Sequence, residues 1–307
     1  MNRTGGIINS DDLSNYYPKE RLPITFTYKD YTVHSMPPPS SGGITLANIL
    51  NQLENIDLDS LGFQSSNYVH FLVEAEKRAY SDRAYYLGDT DFVDVPLDYL
   101  ISKDYAKERF LSIDPHNSTD SESLNLNKVS IIDESEETTH YSVVDSYGNA
   151  VSVTYTLNGW FGNGITVDEA GFLLNNEMDD FSIKPGHPNA YGLVGNEANS
   201  IEPYKKMLSS MTPTIVEDKN NDLFMVLGSP GGSTIITTVA QVIMNVIDFN
   251  MSIEDAVESY RFHHQWLPDV IQIETNSISN ETILDLKNRG HEVKVRPSIG
   301  ESNCIQL

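Results

Sequence analysis

The chain has 307 residues, with 44 acidic side chains against 20 basic ones, a formal charge of -24 and one cysteine, Cys304. An acidic surplus of that size leaves no basic face for nucleic-acid phosphates and none for a polybasic membrane contact. A single cysteine excludes an internal disulfide framework and any multi-cysteine metal site.

The length suits one large domain or two ordinary ones. Apolar periodicity and 16 tyrosines weigh against the disorder that high net charge can bring. No run of about 18 apolar residues occurs, so no membrane span is expected. The first ten residues, MNRTGGIINS, carry no apolar signal-peptide core.

In chain order, residues 21–35 read as two short strands joined by Lys29-Asp30. The run Met36-Pro-Pro-Pro-Ser-Ser-Gly-Gly43 can be neither helix nor inner strand. Residues 44–55 take up helical periodicity. Residues 67–87 read as a longer amphipathic helix, with Val69, Phe71, Leu72, Ala75, Ala79 and Tyr80 on one face. Another helical stretch covers 97–112. Residues 113–137 are rich in Ser, Asn and acid and read as a mobile surface connector.

The connector gives way at Thr138 to a period-two segment around Ser146-Tyr-Gly-Asn149, a strand-turn-strand signature. Further strands are expected at 171–175 and 222–227. Gly228-Ser-Pro-Gly-Gly-Ser233 then leads into an apolar helix over 234–248. A second helix starts near Ser252, which can cap it with Asp255 three residues on. Residues 280–289 read as helix and 291–296 as strand. Hairpins followed by helices suggest an antiparallel sheet covered by helices rather than a βαβ repeat.

The boundary at Glu137-Thr138 carries the most chemistry. Cutting that bond would give Thr138 a free α-amine beside its own hydroxyl, so nucleophile and general base come from one residue. The same hydroxyl can make the cut by attacking the Glu137 carbonyl. Spacing alone equally fits Thr138 as an ordinary β-branched strand starter. The Gly-rich turn at 228–233 can aim backbone N–H groups at one anionic oxygen, as a tetrahedral acyl intermediate needs, or can be a plain tight turn. It lacks the lysine of a nucleotide loop.

Asn175-Asn-Glu-Met-Asp-Asp180 is either a socket for a cationic amine or a solvated turn. Ser209-Ser210 can bond a substrate carboxylate or cap a turn. Adjacent His263 and His264 diverge on any regular backbone, which disfavours a shared metal. Cys304 reads as incidental.

Taken together, MPPPSSGG at 36–43, AEKRAYSDRAYYLGD at 75–89, TTHYSVVD at 138–145, NNEMDDF at 175–181, LSSMTPTIV at 208–216, GSPGGS at 228–233 and RFHHQWLPD at 261–269 resemble the γ-glutamyltranspeptidase (glutathione hydrolase) family of N-terminal-nucleophile hydrolases. The resemblance implies an α+β fold, a four-layer αββα sandwich that is incomplete because the N-terminal half is absent. It implies that residues 1–137 are the C-terminal part of a large subunit. Residues 138–307 are then a small subunit truncated at its end, the two forming a cleaved heterodimer.

The resemblance also assigns roles. Thr138 becomes the nucleophile after self-cleavage, Thr156 hydrogen-bonds and supports it, and Gly231 and Gly232 form the oxyanion hole. Asn158 orients nucleophile and substrate. Glu177 and Asp180 hold the glutamyl α-ammonium, Ser209 and Ser210 its α-carboxylate, and Tyr191 belongs to a lid. The implied reaction is two-step acyl transfer from glutathione or another γ-glutamyl compound to water, an amino acid or a peptide. Neither metal nor organic cofactor is implied, and the expected location is periplasmic or extracellular.

Two departures accompany the resemblance. The family's carboxylate-pairing arginine has no counterpart at a matching position, and the missing upstream half makes the absent signal peptide read as truncation. A poly-γ-glutamate depolymerase, a cephalosporin-type acylase and an inactive partial chain needing an upstream partner are the competing expectations.

Overall fold

The computed structural model describes residue 1 and residues 4–124, 137–187 and 194–307. After a short capped helix α1 (Ser10–Ser14), alternating residues of ITFTY and YTVHS form the antiparallel hairpin β1 (Ile24–Tyr28) and β2 (Tyr31–Ser35). Ile24, Phe26, Tyr28 and Val33 face the core. Lys29 turns the chain at φ 51°. Helix α2 (Gly42–Leu53) follows with all twelve residues buried, packed against both strands of the hairpin and four further helices.

A short turn of helix α3 (Leu58–Leu61) leads to α4 (Ser66–Tyr86), whose first turn is capped by Ser65 accepting from the Tyr68 N–H at 3.1 Å. The expected amphipathic helix is a different object. Glu74, Glu76, Lys77, Arg78, Asp82 and Arg83 are buried along with the apolar face, because each meets a polar partner inside. The helix expected over 97–112 is split into α5 (Leu97–Leu100) and α6 (Lys103–Leu111), since Ser102 leaves helical geometry to cap the second piece.

Of the expected connector, residues 113–124 and Glu137 are described, and residues 113–124 are hydrogen-bonded to the rest of the fold. The Thr119 N–H donates to Glu74 at 3.0 Å, the Ser121 N–H to Asp269 at 2.9 Å, and the Trp266 indole to the Ser121 carbonyl at 2.7 Å.

The strand-turn-strand signature is the hairpin β3 (Thr139–Val144) and β4 (Ala150–Tyr155), followed by the two-residue pair β5 (Thr166–Val167) and β6 (Phe172–Leu173). Strands β7 (Thr214–Glu217) and β8 (Leu223–Leu227) join the first hairpin. Helices α7 (Ile235–Ile247) and α8 (Ile253–Glu258) come next, the second capped by Ser252 as its sequence predicts.

The remaining elements are β9 (Phe262–His263), β10 (Ile271–Glu274), α9 (Asn280–Asn288), β11 (Val293–Arg296) and β12 (Ile305–Gln306). The main sheet runs β1-β2-β7-β8-β12, antiparallel throughout. One departure from the expected topology is a true βαβ unit, because β10 and β11 pair in parallel across α9. The fold is therefore mixed α/β, with α2, α4 and α7 forming the core beside the sheet.

The β3–β4 hairpin is bonded to the sheet by side chains. The Ser152 hydroxyl donates to the Leu227 carbonyl at 2.9 Å and accepts from the Thr214 N–H at 3.1 Å. His140 lies beneath Gly228, where a β-carbon would stand 2.2 Å from the imidazole, so only glycine allows that approach.

Candidate active site

A single cleft brings together Thr138, Thr156, Asn158, Asp180, Ser209, Ser210 and Gly232, with Arg83 among the lining residues. All but Arg83 lie outside the α-helices and named strands, in segments far apart in sequence. Thr138 directly precedes β3, and Thr156 and Asn158 lie just beyond its partner β4, so hairpin pairing alone sets the first three together.

The Glu137 carbonyl oxygen, one residue before Thr138, accepts from the Thr156 hydroxyl at 2.9 Å. The Thr156 oxygen in turn accepts from the Asn158 N–H at 2.8 Å, which fixes the direction of the hydroxyl. The Trp160 N–H holds the Glu137 carboxylate. Asn158 adopts φ 70°, a left-handed conformation that asparagine tolerates better than most residues, and its amide donates to the Asn176 carbonyl at 3.2 Å. A hydroxyl donating to the carbonyl makes its carbon more electrophilic toward the neighbouring Thr138 oxygen.

The acidic loop is a 3-10 turn over Glu177–Asp180. Asn199 ties it to the serine pair, donating to the Asp180 carbonyl at 2.7 Å while accepting from the Leu208 N–H at 3.0 Å. Burial raises both the Glu177 and Asp180 carboxyls to about 7, and the Glu177 charge adds to the shift at Asp180 while Arg83 opposes it. Glu177 is buried and is not among the residues lining the cleft, and its charge raises the Asp180 carboxyl.

Ser209 and Ser210 sit on a strand-like segment held by the 36–43 motif. The Ser209 carbonyl accepts from the Ser41 N–H at 2.9 Å and from the Ser41 hydroxyl at 2.7 Å, while the Ser40 hydroxyl donates to Met211 at 2.7 Å. A β-carbon on Gly42 would lie 2.2 Å from the Met211 carbonyl, so the approach requires glycine. The motif's chemistry is thus support for the serine pair.

Gly231 and Gly232 take φ values of 132° and 55° at the start of the turn into α7. The next residue, Ser233, has its carbonyl held by the Tyr80 hydroxyl at 2.5 Å.

Tyr191 lies outside the described residues. His263 and His264 diverge: His263 bonds Thr237 at 2.8 Å and Gln265 at 2.9 Å, and His264 bonds Asp269 at 3.1 Å. Among the described residues one group has metal-ligand proximity, His70, Glu74 and His291. Glu74 there is already paired with Arg78 and Lys77. Cys304 packs against the core, and burial pushes its thiol up to about 11.

Sequence reasoning missed Arg83, Ser41, Asn199 and Tyr80. Arg83 and Tyr80 stand inside the string AEKRAYSDRAYYLGD and Ser41 inside MPPPSSGG, so the signal for those three was a motif whose individual members had no assigned work.

The fold and the cleft define a mixed α/β protein with a threonine directly before a strand, a directed hydroxyl on the preceding carbonyl and a charged recess beside them. The chain belongs to the gamma-glutamyltranspeptidase family, whose profile matches residues 1–307. It is 50% identical to the glutathione hydrolase proenzyme of Escherichia coli K12 over 307 residues, all of this chain and 52% of that protein. It is also 38% identical to the acylase ACY 1 proenzyme of Pseudomonas sp. SE83 over 307 residues, 99% of this chain and 51% of that one.

A solved mutant of Helicobacter pylori gamma-glutamyltranspeptidase matches at 59% identity and TM-score 0.53, over 55% of this chain and 90% of that chain. The chain spans about half the length of the curated relatives it matches. Among the described residues no helix is long and apolar enough to cross a membrane.

Proposed function

We propose that the chain carries the catalytic centre of a γ-glutamyl hydrolase or transpeptidase acting on glutathione and other γ-glutamyl amides. The observation that carries this reading is the Thr156 hydroxyl on the Glu137 carbonyl, one residue before Thr138, in a cleft that also holds Asp180 and the serine pair. Thr138 Oγ attacks the Glu137 carbonyl carbon, its proton passing to the departing amide nitrogen, and water opens the resulting ester. Residues 1–137 and 138–307 become two subunits of one heterodimer. The freed α-amine of Thr138 then takes the hydroxyl proton when Oγ attacks the γ-amide of the donor.

Asp180, backed by Glu177, receives the donor's α-ammonium, a cation whose arrival offsets the cost of ionising two buried carboxyls. Ser209 and Ser210 receive the α-carboxylate. The N–H groups of Gly231 and Gly232 stabilise the oxyanion, Asn158 orients the donor, and Tyr191 belongs to a lid over it. The acyl group leaves Thr138 on water or on the amine of an amino acid or peptide. No cofactor enters this scheme, and the relatives' proenzyme names fit maturation by cleavage in a periplasmic or extracellular setting.

The architecture proposed is the four-layer αββα sandwich, with the remaining half of the relatives' length covering the outer face of the β3–β4 hairpin. In support, that face is apolar and exposed at Tyr141, Val143, Val151 and Tyr155. A solved cephalosporin acylase from Bacillus halodurans shares the fold at TM-score 0.81 and 24% identity, over 99% of this chain and 52% of that chain.

The 38% identical acylase relative favours a second reading, hydrolysis of a non-amino-acid acyl amide. The acid pair beside the serine pair favours an amino-acid head group instead.

The test is self-cleavage followed by turnover of a γ-glutamyl anilide. The unsubstituted chain should give two bands split at Glu137-Thr138. Thr138→Ala should give one band and lower turnover on the order of a thousandfold or more. Full activity in Thr138→Ala would remove the nucleophile assignment. Fast cleavage of a glutaryl amide with slow γ-glutamyl turnover would favour the acylase.

A further inference from the structure

The cleft contains a cation that no role above uses. Arg83 projects from the C-terminal half of α4, is 4% exposed, and lines the recess with Thr138, Asp180 and Ser210. Its neighbours on the polar ladder of α4 are neutralised: Arg78 pairs with Glu74 at 2.7 Å, and Asp82 with Arg109 at 2.9 Å. Arg83 instead spends its donors on two hydroxyls. Nε donates to Ser41 Oγ at 2.8 Å and Nη2 to Ser210 Oγ at 3.3 Å. Among the described residues it forms no ion pair. Asp180 is the carboxylate whose charge reaches it across the recess.

A guanidinium has only hydrogens to offer, so both serine oxygens must accept from it. Ser41 passes its own hydrogen to the Ser209 carbonyl at 2.7 Å. Ser210 Oγ has no second hydrogen-bond partner among the described residues, so its hydrogen is available to the cleft. The guanidinium thereby holds Ser210 in the orientation of a donor and adds a positive charge behind it. The recess is thus polarised, anion-accepting at Ser210 and cation-accepting at Asp180.

We propose that Arg83 is a positioning residue that orients Ser210 toward the α-carboxylate of the ligand and so selects α-amino acid zwitterions over simple amines. The proposal deepens the γ-glutamyl reading and rests on it for the substrate class. An incoming carboxylate gives the buried guanidinium a charge partner, with Ser210 as the bridge. Hydrogen bonds with a charged partner are worth more than neutral ones, and one such contact discriminates by about ten- to a hundredfold.

The test compares two anilides that differ only in the α-carboxylate, L-γ-glutamyl-p-nitroanilide and 4-aminobutyryl-p-nitroanilide. In Arg83→Gln, KM for the first should rise about ten- to a hundredfold with kcat within about threefold, while KM for the second stays put. Arg83→Lys should recover part of the loss, and Ser210→Ala should reproduce it. Equal losses on both anilides, or an unchanged KM ratio, would overturn the proposal.

A calorimetric titration with L-glutamate and 4-aminobutyrate separates this question from turnover. A chain that cleaves neither anilide even with the covering half supplied removes the γ-glutamyl reading. Arg83 keeps its assignment if that chain still prefers L-glutamate and loses the preference in both Arg83→Gln and Ser210→Ala. It loses the assignment if the unsubstituted chain shows no preference. Should Arg83→Gln fail to fold, Arg83→Lys decides in its place: a lysine keeps the charge but cannot bond both serines as the fork does, so the KM ratio of the two anilides should still shift, and an unchanged ratio would overturn the proposal.

Discussion

Helix α4 and the β3–β4 hairpin flank the same cleft and invert the usual rule in opposite directions. Along α4 the charged side chains are inside: Lys77 reaches Asp269 at 2.9 Å, Glu74 reaches Arg78, and Glu76 accepts from the His264 N–H at 2.8 Å. On the hairpin the apolar side chains are outside, with Val151 50% and Tyr155 56% exposed. Its inward face is polar, through His140, Ser142, Ser152 and Thr154, which bond one another or the sheet's backbone. What decides placement in both regions is whether a polar group finds a fixed partner, since an unpartnered buried one costs more than an exposed methyl. The cleft therefore has one wall seated on a finished core and another whose outer face is about half exposed.

The largest expected effect tests the first wall. Leu72 is fully buried on α4, so Leu72→Ala should remove about 2–5 kcal/mol by lost transfer energy and a residual cavity. Chemical denaturation of the purified chain measures it. A loss under about 1 kcal/mol would mean that α4 is not packed as a core helix and that the contrast between the walls is false.

Elements whose signal is local were legible in the sequence. The 24–35 hairpin shows through alternation and a polar turn, α8 through its Ser252 cap, and β3–β4 through period two around a glycine turn. What escaped depends on distant partners. Strand β7 begins inside a string noticed for its serines and ends just beyond it, and it is a strand because β2 and β8 flank it. The βαβ unit hides because β10 has no local mark separating it from a loop. At the site, residues with their own chemistry (Thr138, Asp180, the serine pair) were visible, and the structure brings them to one cleft. Arg83, Ser41 and Asn199 act only through bonds to residues more than forty positions away or across a loop, and no spacing rule finds those.

A smaller effect probes the recess between the walls. Burial holds the Asp180 carboxyl up at about 7, against about 4 for a free carboxylate. A raised acid binds its proton more tightly in the folded state. That stabilisation is complete below about pH 4 and is lost as pH rises through about 7. At pH 8 the fold therefore carries a costly buried charge that asparagine would not. Asp180→Asn should raise Tm by about 2–4 °C at pH 8 and leave it nearly unchanged near pH 4. L-glutamate binding should weaken in the same variant, because the ammonium loses its counter-charge. A lower Tm at pH 8 would mean that Arg83 already compensates the carboxylate and that the recess is not waiting for a cation.

The smallest effect tests the second wall. Val151 pairs with Val143 across the hairpin, both about half exposed on the outer face. In this chain, Val151→Ser removes little buried apolar surface and creates no unpartnered polar group, so denaturation should register under about 0.5 kcal/mol. If the proposed sandwich is right, the same substitution behaves differently once a covering half is supplied. The serine hydroxyl would then be buried without a planned partner, costing about 1–3 kcal/mol in the assembled state. A cost that appears only on assembly locates the cover on this face. Equal small costs in both states would place the cover elsewhere. A large cost in the chain alone would show that the valines already pack, and the contrast with α4 would collapse into a single kind of wall.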